Sequence, residues 1–250
     1  MANSFAKSLT EFVSHSAHNV YRVPMTARVL FAITAAVLWI GQILSAILSA
    51  IDYYPVNTTD LGLYGDNPLG AAGFIGRELD HFSYFTIWSN LLAAVIFTML
   101  AINPDRRGSL FRVLRLDAIV MMIVTGIIYN VLLNAGGHEG WDFWSNSIQH
   151  IWGPLLVFFV FVIAGPRGWI TSSTIFASLI LPILWLAYAL IRGSVIGAYP
   201  YGFLDVNAHG MTSVLAFVAQ IVVFAIILGY LLMLIDKIMR KFSSNTRLKA

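Results

Sequence analysis

Cysteine is absent from this 250-residue sequence, and charged residues are scarce, at 11% of the chain. Without cysteine the chain has no disulfide, no thiolate metal site and no cysteine nucleophile. Hydrophobic residues make up 58% of the sequence, and the mean hydropathy is +0.78. In a soluble domain of this length, so few charges would not cover that much apolar surface. The composition therefore indicates a membrane protein.

Long apolar runs account for this composition. A helix that crosses the hydrocarbon core of a bilayer needs about 20 mostly apolar residues. We predict six such spans, at approximately 27–51, 82–103, 116–135, 146–165, 171–192 and 212–235. Asp117 and Arg192 fall at the ends of predicted spans, where they would reach the lipid headgroups. The predicted fold class is all-α, an integral membrane bundle of six transmembrane helices.

The basic residues are distributed unevenly along the chain. Thirteen of the fifteen Lys and Arg residues fall in the N-terminal arm, the second and fourth loops and the tail, whereas Arg77 and Arg192 fall in the other loops. By the positive-inside rule, both termini are cytoplasmic in a multi-pass protein of the plasma membrane. This topology explains the excess of basic residues without a nucleic-acid partner. We divide the chain into a cytoplasmic arm, a transmembrane domain and a basic tail, at residues 1–26, 27–236 and 237–250.

Polar side chains recur in the outer half of the predicted spans, whereas the inner halves are almost wholly apolar. Single polar residues in membrane helices commonly hydrogen-bond a neighbouring helix. Clusters in all six spans at one depth instead predict an outward-opening pocket among spans one to four, closed towards the cytoplasm. A small-solute carrier would need a polar route through both halves, so it is the least favoured function. The predicted pocket residues are Gln42, Ser89, Asn90, Asn130, Asn134 and Asn146.

His150 is the one histidine that falls inside a predicted span. Thr86 lies at a similar depth in span two, since each residue is about four positions, or roughly 6 Å, below the outer end of its helix. A hydroxyl paired with a base is the minimum set of groups for acyl transfer. We therefore predict Thr86 as the nucleophile and His150 as its base. Asn90, Asn130 and Asn134 would stabilise an oxyanion, with Ser83 and Ser89 as alternative nucleophiles.

The sequence lacks the residues that other kinds of active site require. There is no H-E-x-x-H zinc motif and no G-x-S-x-G nucleophile elbow. No lysine lies within a predicted span, which excludes a retinal Schiff base, and no second intramembrane histidine is present for haem. We expect no cofactor and no metal. The expected partners are membrane lipids and a lipid-like small molecule.

Three segments together resemble a known family. They read FSYFTIWSNL at 82–91, QHIWGP at 149–154 and YPYGFLDV at 199–206. In this order on six spans, they resemble a bacterial family of six-transmembrane proteins, called Pr-six-Pr. That family is distantly similar to the androgen-induced membrane proteins of animals, threonine hydrolases that cleave fatty acid esters of hydroxy fatty acids. The resemblance extends over about 27–236.

The resemblance implies a hydrolase of lipid-like esters, with the family's threonine at Thr86 and its histidine at His150. The chain departs from the pattern at two places. Relatives carry an Asp-Trp pair late in span four, where this sequence has Val160 and Phe161, and the animal proteins carry a second histidine in span four. The alternative hypothesis is a non-enzymatic protein that binds or senses a lipid or quinone in the same pocket.

Overall fold

The computed structural model describes residues 25–133 and 136–247, with side chains described through residue 241. These ranges are mostly helical and contain six helices long and apolar enough to cross a membrane. The spans are Met25–Ala50, Phe85–Ile102, Ser109–Leu133, Gly140–Ala164, Ser172–Ile196 and Met211–Lys241. The predicted all-α bundle of six spanning helices is confirmed. Most of the predicted N-terminal arm, residues 1–24, lies outside the described residues.

Spans one and two form the most closely packed pair of helices. Buried alanines on both, Ala27 and Ala35 on span one and Ala93 and Ala94 on span two, let the two backbones approach each other. Spans three and four complete this tightly packed part of the bundle. There Gly126 faces Pro154, so that an added Cβ would lie 3.0 Å from the proline. In span five, the first turns, Ser172–Ala177, approach spans three and six, whereas the backbone of the following helix, Ile180–Ile196, stays farther from its neighbours.

Span three begins earlier than predicted, at Ser109, after a break at Gly108 where φ is +155°. Asp117 therefore lies well inside the helix, and only 1% of the residue is exposed. The prediction that Asp117 reaches the headgroups is wrong. Arg115 is also buried, with its guanidinium 4.5 Å above the ring of Trp169. The helix thus starts before Arg115 and Asp117 and includes both, because packing against neighbouring residues, and not the local polarity of the sequence, determines where it starts.

The loop between spans one and two is joined to the segment after span five. The backbone amide of Tyr64 donates to the carbonyl of Tyr199, and the amide of Tyr199 donates to the carbonyl of Gly62. A short helix, Phe74–His81, precedes span two, and that span begins at Phe85, three residues later than predicted. The backbone amide of Thr86 also donates to the hydroxyl of Tyr201, so the segment after span five lies against the start of span two.

Span three ends in a π-helical turn at Tyr129–Leu133, and span four contains one near its middle, at Ile148–Trp152. A π-helical turn accommodates an extra residue in the helix. Since a regular helix turns about 100° per residue, the side chains beyond the turn face a different direction from the one that regular spacing predicts. These two turns bear Tyr129 and His150.

Candidate functional site

A cavity lies between the start of span two and spans three, five and six. It encloses about 860 Å³, part of which is open to the surroundings. The lining residues that carry a polar side-chain atom are Thr86, Thr125, Tyr129, Trp185 and Tyr201. The apolar lining residues are Phe85, Val120, Met121, Val124, Ile128, Leu133, Leu179, Pro182, Ile183, Leu186, Phe203, Leu204, Val218, Ile221, Val222 and Ala225.

The cavity does not lie among spans one to four, where the pocket was predicted. In that region the predicted pocket residues hydrogen-bond neighbouring helices. The Gln42 amide nitrogen donates to the carbonyl of Ile87 at 3.1 Å. The Asn90 amide nitrogen donates to the carbonyls of Thr86 and Gln149. The side chains of Gln42 and Asn90 therefore join spans, which is the ordinary role of single polar groups in membrane helices.

Asn130 acts in the same way, since its amide nitrogen donates to the carbonyls of Gly126 and His150. Asn130 is exposed on the outside of the bundle, beyond the point where the π-helical turn begins. The third predicted oxyanion donor, Asn134, lies outside the described residues.

The two alternative serine nucleophiles also form hydrogen bonds with neighbouring residues. The Ser89 hydroxyl donates to the carbonyl of Thr86 and shares a 2.9 Å hydrogen bond with Thr125. The Ser83 hydroxyl lies 2.7 Å from that of Tyr188. Neither serine lines the cavity. Ser89 is connected to it through Thr86 and Thr125, which both line the cavity.

Thr86 does line the cavity. Its hydroxyl lies 3.4 Å from the hydroxyl of Tyr201, which also accepts a hydrogen bond from the Thr86 backbone amide. Burial raises the pKa of Tyr201 to about 12, so this phenol stays protonated at neutral pH and is not a base for Thr86. The predicted nucleophile is therefore on the cavity wall without an adjacent base.

His150 lies against Tyr129 and is not among the cavity-lining residues. The two rings stack with their centroids 3.7 Å apart and their planes inclined by 14°. The Nδ1 atom of His150 is buried and has no hydrogen-bond partner. Among the described residues no hydrogen bond joins His150 to Thr86. Similar depth in the membrane does not bring the predicted pair together.

The best-connected polar group of the cavity is one that the sequence interpretation did not select. The Tyr129 hydroxyl lies 2.7 Å from Nε2 of His138, and Nδ1 of His138 lies 2.6 Å from a carboxylate oxygen of Asp142. Asn146, predicted as a pocket residue, also hydrogen-bonds the Tyr129 side chain. The available signal was the four-residue spacing of His138 and Asp142, which is typical of interacting residues at the start of a helix.

The described residues contain no group of three or more histidine, aspartate and glutamate side chains that could hold a metal ion. Comparisons with protein families, with curated proteins and with solved structures find no match to this chain. The resemblance to the six-transmembrane family therefore stays a prediction, and the site rests on its own geometry.

Proposed function

We propose that this membrane protein binds a lipid-like molecule in the cavity between spans two, three, five and six. The observation that carries the proposal is the lining of the cavity, which is apolar apart from a few hydroxyl groups and one indole. Small-molecule sites in proteins are likewise lined mostly by hydrophobic and aromatic side chains with a few polar groups. Such a space favours a molecule that is mostly hydrocarbon.

The polar groups are gathered towards one end of the cavity. Thr86, Tyr129 and Tyr201 lie at or beyond the outer ends of their spans, whereas Val120 and Ala225 lie deeper. Val120 is nine residues from Tyr129, which is about 14 Å along a helix. This gradient suits a molecule with one polar end, such as a fatty acyl ester, whose chain would extend along span three.

Ester hydrolysis at Thr86 is the second candidate function. It is favoured by the position of the Thr86 hydroxyl on the cavity wall, at the polar end. A threonine hydroxyl is a weak nucleophile until a base removes its proton. The Thr86 mechanism implied by the resemblance therefore needs His150 to leave its stack on Tyr129 and approach Thr86.

We further propose that the protein resides in the plasma membrane with both termini in the cytoplasm. The support is the distribution of Lys and Arg along the sequence. In this orientation, the hydroxyl end of the cavity faces the outer leaflet, and a lipid-like molecule would enter from that side.

Ligand binding can be tested with methyl palmitate, a C16 ester, and the purified protein in detergent. Val222 lines the cavity, whereas its neighbour Val223 does not and is 56% exposed. Val222→Trp would fill the space that the acyl chain occupies and should weaken binding at least tenfold. Val223→Trp adds the same bulk on the outer surface and should leave the affinity within about twofold. Equal affinities in the two variants, or no binding by the wild type, would refute the proposal.

A further inference from the structure

Tyr129, which lines the cavity, forms a continuous hydrogen-bonded chain with His138 and Asp142. The Asp142 carboxylate is 2.6 Å from Nδ1 of His138, and Nε2 of His138 is 2.7 Å from the Tyr129 hydroxyl oxygen. A carboxylate accepts hydrogen bonds and cannot donate them. Nδ1 of His138 therefore carries a proton, and when the ring is neutral, Nε2 is left to accept the proton of Tyr129.

These donor and acceptor roles are the ones that activate a hydroxyl nucleophile. A histidine oriented by a carboxylate removes the proton of the attacking hydroxyl, and the carboxylate stabilises the resulting imidazolium. Such arrangements are recognised by geometry and by the role of each group, not by position in the sequence. Here the hydroxyl belongs to a tyrosine, a residue that also serves as a nucleophile in some enzymes.

The surroundings hold the Tyr129 side chain in place. The ring of His150 covers one of its faces at 3.7 Å between centroids, and Asn146 hydrogen-bonds its side chain. His138 and Asp142 are partly exposed, at 31% and 25% of their side chains. Tyr129, at one end of the hydrogen-bonded chain, thus lines an apolar cavity. His138 and Asp142, at the other end, can exchange protons with water.

We infer that Tyr129 is the nucleophile of an acyl-transfer reaction on the ligand of the cavity, with His138 as its base and Asp142 as a positioning residue. This inference rests on the proposed binding of a lipid-like molecule. The substrate class is a fatty acyl ester whose carbonyl carbon lies at the hydroxyl end of the cavity. Thr86 then contributes to binding at that end and not to bond formation.

The reaction has two steps. The Tyr129 oxygen bonds to the carbonyl carbon while its proton passes to Nε2 of His138. The bond from this carbon to the leaving alcohol then breaks, and the alcohol oxygen takes the proton from His138. In the second step, water gives a proton to Nε2 and attacks the acyl-tyrosine. The fatty acid is released, and the phenolate recovers its proton from His138.

A pair of alkyl fluorophosphonates tests this inference in the purified full-length protein. The nucleophile forms a bond to phosphorus and fluoride leaves, so the reacting residue stays labelled and can be mapped by mass spectrometry. An ethyl probe measures the reactivity of the hydroxyl alone. A hexadecyl probe measures, in addition, the contribution of the apolar cavity.

We expect both probes to label Tyr129, the hexadecyl probe faster. Tyr129→Phe keeps the ring and its stack and should abolish labelling, whereas Tyr230→Phe, at a 38% exposed tyrosine outside the cavity, should not. His138→Ala should slow labelling by about 10²-fold or more. Asp142→Asn should slow it at least tenfold, and Asp142→Glu should recover most of that loss, because the carboxylate is restored.

Labelling at Thr86 or Ser89 in place of Tyr129, or a labelling rate that is unchanged in His138→Ala, would overturn the inference. The two proposals fail differently. If methyl palmitate binds but neither probe reacts, the tyrosine mechanism is wrong and the binding function stands. If the ethyl probe labels Tyr129 and the hexadecyl probe labels it no faster, the reactive tyrosine is supported and the proposal that the cavity binds a lipid-like ligand is wrong.

Discussion

Asp80 and Arg192 are 112 residues apart in the sequence, and a carboxylate oxygen of Asp80 lies 2.6 Å from a guanidinium nitrogen of Arg192. The other carboxylate oxygen of Asp80 accepts hydrogen bonds from the backbone amide of Gly65 and from the Asn67 side chain. The Arg192 guanidinium lies 4.4 Å above the ring of Tyr64. One ion pair thus connects the end of span five, the loop between spans one and two, and the helix before span two.

Arg192→Gln should lower the free energy of unfolding by about 1–3 kcal/mol. The pair is largely buried, with 16% and 13% of the two side chains exposed, and loss of the arginine would leave the Asp80 carboxylate without its cation. Arg107→Gln, at an exposed position, is the matched control and should change stability by about 0.5 kcal/mol or less. Thermal unfolding in detergent measures both. Equal losses in the two variants would contradict the structural role of the pair.

Gly193 tolerates no side chain in this structure. A Cβ atom there would overlap the ring of Tyr199, which is 2% exposed and has no free space to move into. Gly193→Ala should therefore cost about 1–3 kcal/mol of stability, the usual cost of overpacking a core. At Gly202, in the same outer region, an added Cβ meets nothing within 4 Å. If thermal unfolding shows Gly202→Ala to be as damaging as Gly193→Ala, the contact between span five and Tyr199 is not as described.

His150→Phe separates a structural role from a catalytic one. Phenylalanine keeps a flat ring against Tyr129 and removes the buried, unpartnered Nδ1. Since an unsatisfied buried polar atom costs about 1–3 kcal/mol, the melting temperature should stay the same or rise. Fluorophosphonate labelling should persist. A loss of labelling by roughly 10²–10⁴-fold in a well-folded variant would restore His150 as the general base.

The orientation can be tested because the native chain has no cysteine. Single cysteines can be placed at Asp66 and Ala208, exposed positions of the outer loops, and at Ser109, an exposed position at the start of span three. An impermeant maleimide should label the first two in intact cells and should label Ser109→Cys only after the cells are opened. The reverse pattern would invert the topology and place the hydroxyl end of the cavity in the inner leaflet.

Hydropathy predicted the number of spans correctly because a run of about 20 apolar residues is a local property of a sequence. It failed at span boundaries where charges are buried. Asp117 was predicted to lie at the end of a span, but in the folded chain it lies inside the bundle, as does Arg115, which packs on Trp169. Whether a charge faces headgroups or protein depends on neighbouring spans, which local polarity does not describe.

The prediction of the candidate site failed for the same reason, since contacts between spans are not described by local sequence. The sequence allowed the depth of each polar residue in the membrane to be predicted, and Thr86 does line the cavity. It could not predict which helices are neighbours, so the cavity was expected among spans one to four. It also assumed regular helical spacing, which the π-helical turns at Tyr129–Leu133 and Ile148–Trp152 interrupt. The stack of Tyr129 on His150 and the contact of Tyr129 with His138 follow from packing between helices.

The two π-helical turns let spans three and four accept a change in chain length. A π-helical turn holds one extra residue, so removing one residue from Ile148–Trp152 would allow the helix to close with ordinary i to i+4 bonds. The side chains of the following helix, Gly153–Ala164, would keep their directions, because the deletion removes only the extra residue. The same deletion in a regular part of the span would instead rotate every following side chain by about 100°. Homologous chains that differ by one residue at these turns would thus present the same groups to their neighbours, and a search for functional relatives should allow single-residue gaps there.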